Sequence, residues 1–141
     1  MPYEYVEDGV TSDVSFHAWG NDLDELFTAA ADATANVMVA ELASIEARVS
    51  KHVAVSAEEL DLLLLRFLDE LIFHKDAEAL LLRADGVHVD IANHSLTAEL
   101  RGEPIDTSRH ELAADVKAVT LHGLHVEHRG SHWHAHVTLD V

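Results

Sequence analysis

Apolar residues in this chain recur at two different periods, and the order in which those periods alternate restricts the folds open to it. Over residues 12–19, Val14, Phe16 and Ala18 alternate with Asp13, Ser15, His17 and Trp19. That two-residue period predicts a half-buried strand. Gly20 closes it, and Asn21 is the predicted N-cap of a helix whose first turn holds Asp22, Asp24 and Glu25, where the helix dipole favours negative charge. Leu23, Leu26, Phe27, Ala30, Ala33 and Val37 then recur at steps of three and four, predicting an amphipathic helix to about residue 40. Its small-residue middle suits close packing on a sheet.

The two-residue period returns over residues 45–55. Lys51 falls on the apolar side there, so a bend or bulge is expected beside it. Ser56 and Glu59 have capping-box spacing and predict the start of a second helix. Leu60, Leu63, Leu64, Phe67, Leu68, Leu71 and Ile72 form its stripe, which Leu62 and Leu65 widen. So wide a stripe fits a helix between two layers, or one that meets a partner chain. Further strands are expected over 79–84, 87–92 and 95–102, with Asn93-His94 turning the last pair. Residues 103–109 read as a loop. The closing stretch, 115–141, reads as two strands joined by a tight turn at Arg129-Gly130. The order β-α-β-α followed by strands predicts an α+β layered fold, one domain over residues 1–141, with two helices packed on one face of a largely antiparallel or mixed β-sheet.

Composition excludes several classes of function. There is no cysteine, so disulfides, thiol catalysis and cysteine-ligated zinc are excluded together. Twenty-six acidic residues against nine basic give a net charge of −17, which repels phosphate, so direct nucleic-acid binding is not expected. Nor does any apolar run approach the ~20 residues that cross a bilayer. The first residues lack the basic and apolar regions of a signal peptide, so a cytoplasmic protein is expected. The acids suit either a basic partner or cation, or a surface adapted to high salt. Their spread along the whole chain favours the halophilic-type surface.

Three groups of residues carry candidate chemistry. His132, His134 and His136 alternate along the final strand and so share one face, to which a neighbouring strand can add His122, His125 or His128. Imidazoles at that spacing suit zinc or nickel, and a histidine-rich transition-metal-binding protein is the alternative function this pattern supports. Asp13, Asp140 and the carboxylate of Val141 are hard oxygen donors at strand ends, suited to Ca²⁺ or Mg²⁺. Lys117, one of three lysines, stands among Val116, Ala118 and Val119. No phosphate-cradling glycine loop, nucleophile elbow or H-E-x-x-H helix is present, and no nucleophile–base pair stands out.

The order of four motifs resembles the archease family over nearly the whole chain. TSDVSFHAWG (11–20) is similar to that family's D-H-T-A-D…A-x-G opening, and LLLRFLDELIFHKD (63–76) to its L-x-x-W-L-N-E-L-L-Y-L-x-D segment. GEPIDTSRHELAADVKAVTLHGLHV (102–126) resembles G-E-x-x-D…H-x-x-x-x-E-V-K-A-V-T-Y-H-x-L-x-V, and VTLDV (137–141) the family's F-D-I ending. The resemblance implies a protein cofactor rather than an enzyme. Such a cofactor would assist an RtcB-type tRNA-splicing ligase, promoting guanylation of its active-site histidine and repeated turnover. It also implies a divalent-cation site, typically calcium, at Asp13, Asp140 and Val141, and a partner-activating role for Lys117. The chain departs from the pattern at Gly9-Val10, where the family has Asp-His and where Asp8 is the nearby acid. It departs again at Phe67, Asp69 and Asp115, which replace Trp, Asn and Glu.

Overall fold

A computed structural model describes residues 1–6 and 13–141, so Asp8, Gly9 and Val10 lie outside the described residues. The elements run β1 Tyr3–Val6, β2 Asp13–Gly20, α1 Leu23–Met38, a 3-10 turn at Leu42–Ser44, β3 Val49–Ser56, α2 Leu60–Glu78, β4 Leu80–Asp90, β5 Ser95–Pro104, β6 Ala118–Arg129 and β7 His132–Asp140. The α+β architecture is the expected one, and its strands divide into two antiparallel sheets. One has the order β1-β2-β7-β6, the other β3-β5-β4.

The helices form the layer between the sheets. α1 packs on β4 of the second sheet and on β2 and β7 of the first, while α2 packs on β3, β4 and β5 on one side and β6 on the other. This is why α1 is built from small residues: Ala29, Ala30, Ala31, Ala33 and Ala35 are all buried, so backbones can approach from both sides. The wide stripe of α2 has the same cause. Phe67 stacks against Phe27 at the helix–helix contact with ring centroids 6.1 Å apart. Among the described residues no helix is long and apolar enough to cross a membrane.

Local expectations shift in five places. Asp22, not Asn21, caps α1, its Oδ1 accepting the Glu25 amide at 2.8 Å, while Glu25 Oε2 accepts the Asn21 amide at 2.7 Å. The Ser56–Glu59 box does not form; Ser56 pairs with Ser95 as the last residue of β3, and α2 starts after Glu59 with no side-chain cap. The strands predicted over 79–84 and 87–92 are one strand interrupted by a bulge at Gly86, whose φ of +100° favours glycine. Lys51 causes no bulge: β3 pairs regularly through it, and its ammonium reaches Glu78 at 3.1 Å. The closing turn sits one residue later than expected, at Gly130-Ser131, between the paired Arg129 and His132.

β1 has no counterpart in the periodicity. Its four residues are too few for a pattern, and it is held by tyrosines: Tyr3 Oη donates to Asn36 Oδ1 at 3.2 Å, and Tyr5 Oη to the Ala33 carbonyl at 2.7 Å.

Candidate functional site

The first sheet brings Asp13 and Asp140 together. They are Cα partners at one end of the β2–β7 ladder, and Ala118 of β6 pairs with Asp140 from the other side. Both aspartates and Val141 are half-buried. Two carboxylates directly opposite on a sheet repel one another, and among the described residues neither forms a hydrogen bond or ion pair with a basic side chain. Two residues inward along the ladder, the buried Ser15 and Thr138 hydroxyls are 2.8 Å apart. The donor set at this corner is all hard oxygen, which fits Ca²⁺ or Mg²⁺ rather than zinc. Its side chains are two in number; no group of three His, Asp or Glu able to hold a metal forms among the described residues.

Lys117 reaches the same corner by a different route than its apolar neighbours suggested. It precedes β6 instead of lying within it, its side chain is exposed, and its amide donates to the Asp140 carbonyl at 2.8 Å. The segment carrying it is held by Lys75, a residue that periodicity passed over. The Lys75 ammonium is buried and bonds Asp115 Oδ1, the Val116 carbonyl at 2.7 Å and Asp76 Oδ1 at 2.7 Å. Burial acts to lower its pKa, but the hydrogen bonds and charges of Asp115 and Asp76 outweigh burial and the net shift is upward. Asp115 is held correspondingly low by Lys75. A signal for Lys75 was present: it continues the stripe through Leu68, Leu71 and Ile72, where a lone cation needs buried partners.

The G-E pair of the third motif is structural. Glu103 is 2% exposed in β5. Its Oε2 accepts the Glu46 amide at 2.7 Å and the ring of buried His110 at 3.0 Å; its Oε1 accepts Arg109 and lies 3.4 Å from Arg48 Nε. Because the Asp106 amide donates to His110 Nδ1 at 2.9 Å, His110 carries its proton on Nε2 and donates to Glu103. This ties the 106–110 turn to β5 and to the segment before β3.

His132, His134 and His136 share the outer face of the first sheet, as their alternation predicts, but no three His, Asp or Glu side chains among the described residues converge there to hold a metal. His132 and His134 have ring centroids 6.5 Å apart. The near neighbour of His134 is His17 on β2, with His17 Nε2 and His134 Nδ1 2.9 Å apart. A cavity of about 620 Å³ beside the start of α1, lined by Trp19, Asp24, Glu25, Asp32 and His132 among others, is separate from the carboxylate corner. Its acids are already bonded, to Val89, Asn21 and Arg83.

The description "Archease protein family (MTH1598/TM1083)" belongs to the family model that matches residues 3–141. The chain is 30% identical to the protein archease of Sulfurisphaera tokodaii over 93% of this chain and 94% of that one. It is 32% identical to that of Pyrococcus abyssi over the same shares. Among solved structures it is similar to protein 1598 of Methanobacterium thermoautotrophicum, with a TM-score of 0.84 and 34% identity over 99% of both chains. It also shares the fold of a Thermotoga maritima protein described as an archease and possible chaperone, with a TM-score of 0.63 and 18% identity over 98% of this chain and 99% of that one.

Proposed function

Because the chain belongs to the archease family, we propose that it acts as a non-enzymatic activator of an RtcB-type tRNA-splicing ligase, promoting guanylation of the ligase and its repeated turnover. The observation that carries this reading is the corner at the end of the first sheet, where Asp13 and Asp140 face each other and, among the described residues, no basic side chain pairs with either. Like charges held opposite in a folded sheet cost free energy, and a cation offsets that cost. The Asp13 and Asp140 carboxylates would hold Ca²⁺, with the main-chain oxygens of Val141 as further donors. Ca²⁺ bound there would supply the positive charge that lets an acidic corner approach a ligase's own carboxylates and phosphates.

The chain's residues then have separate tasks. Asp13 and Asp140 hold the cation. Lys117, joined to the corner by one backbone hydrogen bond and exposed, presents an ammonium to the partner. Lys75 positions that segment. The acidic surface, at net −17, steers the protein toward a basic, RNA-binding enzyme in the cytoplasm instead of toward RNA itself.

The test uses purified ligase, labelled GTP and this protein. Asp13→Asn and Asp140→Asn should each lower stimulation of ligase guanylation by at least ~10-fold, the low end for disturbing even the groups that support metal ligands, with circular dichroism unchanged. Wild-type stimulation by both variants excludes the carboxylate corner as the working part. A separate expectation concerns Lys75→Met, which keeps the stripe of α2 apolar but frees residues 115–116. Losing its charge-assisted hydrogen bonds should cost about 1.5–3 kcal/mol locally. Hydrogen exchange at the Lys117 amide should then quicken at least ~10-fold, and an unchanged rate would show that Lys75 does not set this segment.

A further inference from the structure

The outer face of the first sheet holds a second cluster of titratable groups, which the proposed activation leaves unused. Cross-strand register places Glu4, His17, His136 and His125 in one row over β1, β2, β7 and β6, and Trp19, His134 and Glu127 in the next. Directly opposite residues of antiparallel strands project to the same side. Within this array one pair stands apart. His17 Nε2 and His134 Nδ1 are 2.9 Å apart, and the two rings lie within 4° of parallel with centroids 5.0 Å apart. A nitrogen–nitrogen distance that short at that centroid separation means the rings meet edge to edge, with their in-plane lone-pair directions converging.

The surroundings favour a neutral ring at His134 and a defined orientation at His17. Burial, then the positive charge of Arg129, holds the His134 imidazole below its ordinary pKa. On its other edge His17 Nδ1 faces Glu4 Oε1 at 3.7 Å, which favours a proton on Nδ1 and leaves Nε2 as an acceptor. Trp19 lies against the same ring, with centroids 5.4 Å apart. With His17 Nε2 as the acceptor, His134 Nδ1 is the donor of the 2.9 Å hydrogen bond, and a metal ion that takes both nitrogens displaces that one proton.

We propose that His17 and His134 chelate one borderline divalent transition-metal ion, Zn²⁺, Ni²⁺ or Cu²⁺, through His17 Nε2 and His134 Nδ1. Metal–nitrogen bonds of about 2.0–2.1 Å put two nitrogens of a tetrahedral ion ~3.4 Å apart, so the rings part by about half an ångström from 2.9 Å and turn so that both lone pairs point at the ion instead of at each other. Water completes the coordination, since no third side chain converges among the described residues. Glu4 acts on the metal through His17, as a carboxylate behind a ligating imidazole. The site is distinct from the carboxylate corner. His17 lies four residues from Asp13 along β2, ~13 Å at strand rise, and imidazoles suit these metals where the corner's carboxylates suit calcium.

The pair joins residues 117 apart in sequence, so it is a different site from the His132, His134 and His136 run of a single strand. The experiment separates the two. Calorimetry of the full chain with Ni²⁺ or Zn²⁺ alone should give one saturable site, weakened at least ~10-fold in His17→Ala and in His134→Ala and unchanged in His128→Ala. Affinity should fall as pH drops, because protons compete for the same lone pairs. Should either variant unfold, imidazole NMR of the wild-type protein titrated with Ni²⁺ reads the site directly, with broadening of His17 and His134 first. Broadening confined to His132 and His136, a His17→Ala variant that binds as the wild type does, or the lack of any saturable site would each overturn the proposal.

Discussion

Gly102→Ala is expected to lower stability by ~3 kcal/mol or more, beyond the usual range for overpacking and a large part of the ~5–15 kcal/mol that holds a domain folded. Gly102 sits in β5 opposite Leu82 of β4. A Cβ at this position would lie 1.8 Å from the Leu81 carbonyl oxygen and 2.9 Å from the Leu82 Cα. Both are backbone atoms of the paired strand, so no side chain can rotate away, and relief requires breaking the β4–β5 ladder. The carbonyl of Gly102 also accepts the Arg48 amide at 2.8 Å, so β3 would be disturbed as well. Urea unfolding measures the effect, and a wild-type midpoint in the alanine variant would show that the two strands can separate at little cost.

The next residue gives the second large effect. The carboxylate of Glu103 is held at a pKa of about 2, chiefly by the Arg109 hydrogen bond and then by the Glu46 amide, both of which favour its charged form. A folded pKa below the unfolded value of ~4.3 means the unfolded chain binds the proton more readily. Glu103 therefore contributes stability that is fully present above ~4.3 and is lost as pH falls through that value toward 2. Glu103→Gln keeps the shape but removes the charge, leaving Arg109 and the nearby Arg48 without their shared counter-ion. The variant should be clearly less stable than the wild type at pH 7, and the gap should close as pH approaches 2. Chemical denaturation at a series of pH values reads this. A gap independent of pH would mean that the carboxylate contributes through packing alone.

These two residues also show how motif and fold are related. The adjacent Gly102 and Glu103 belong to the block most similar to the family pattern, and both are structural: one admits a neighbouring backbone, the other ties a turn to a strand. By contrast, the residues proposed to act on a partner, Asp13, Asp140 and Lys117, lie far apart in sequence and meet only through the β2–β7 ladder and the amide of Lys117. The hard-oxygen chemistry of the two aspartates was legible from residue type. Their facing one another came from register.

Sequence alone determined the two helices, most of the strands, the α+β class and the family, because periodicity reports which face of an element is buried and local motifs report themselves. It also determined that His132, His134 and His136 share a face. Tertiary structure alone decided that the strands form two sheets with the helices between them, that Ser56 pairs in β3 instead of capping α2, and that β1 exists at all. It alone paired His17 with His134, and it alone made Lys75 the clamp on the segment before β6. The physical reason is common to these cases. A two-residue or 3.6-residue period records the side on which a residue stands, but not which strand comes alongside it. That choice is made by ladder hydrogen bonds and packing between segments distant in sequence, as far apart as Asp13 and Asp140, whose energies no local stretch of the chain contains.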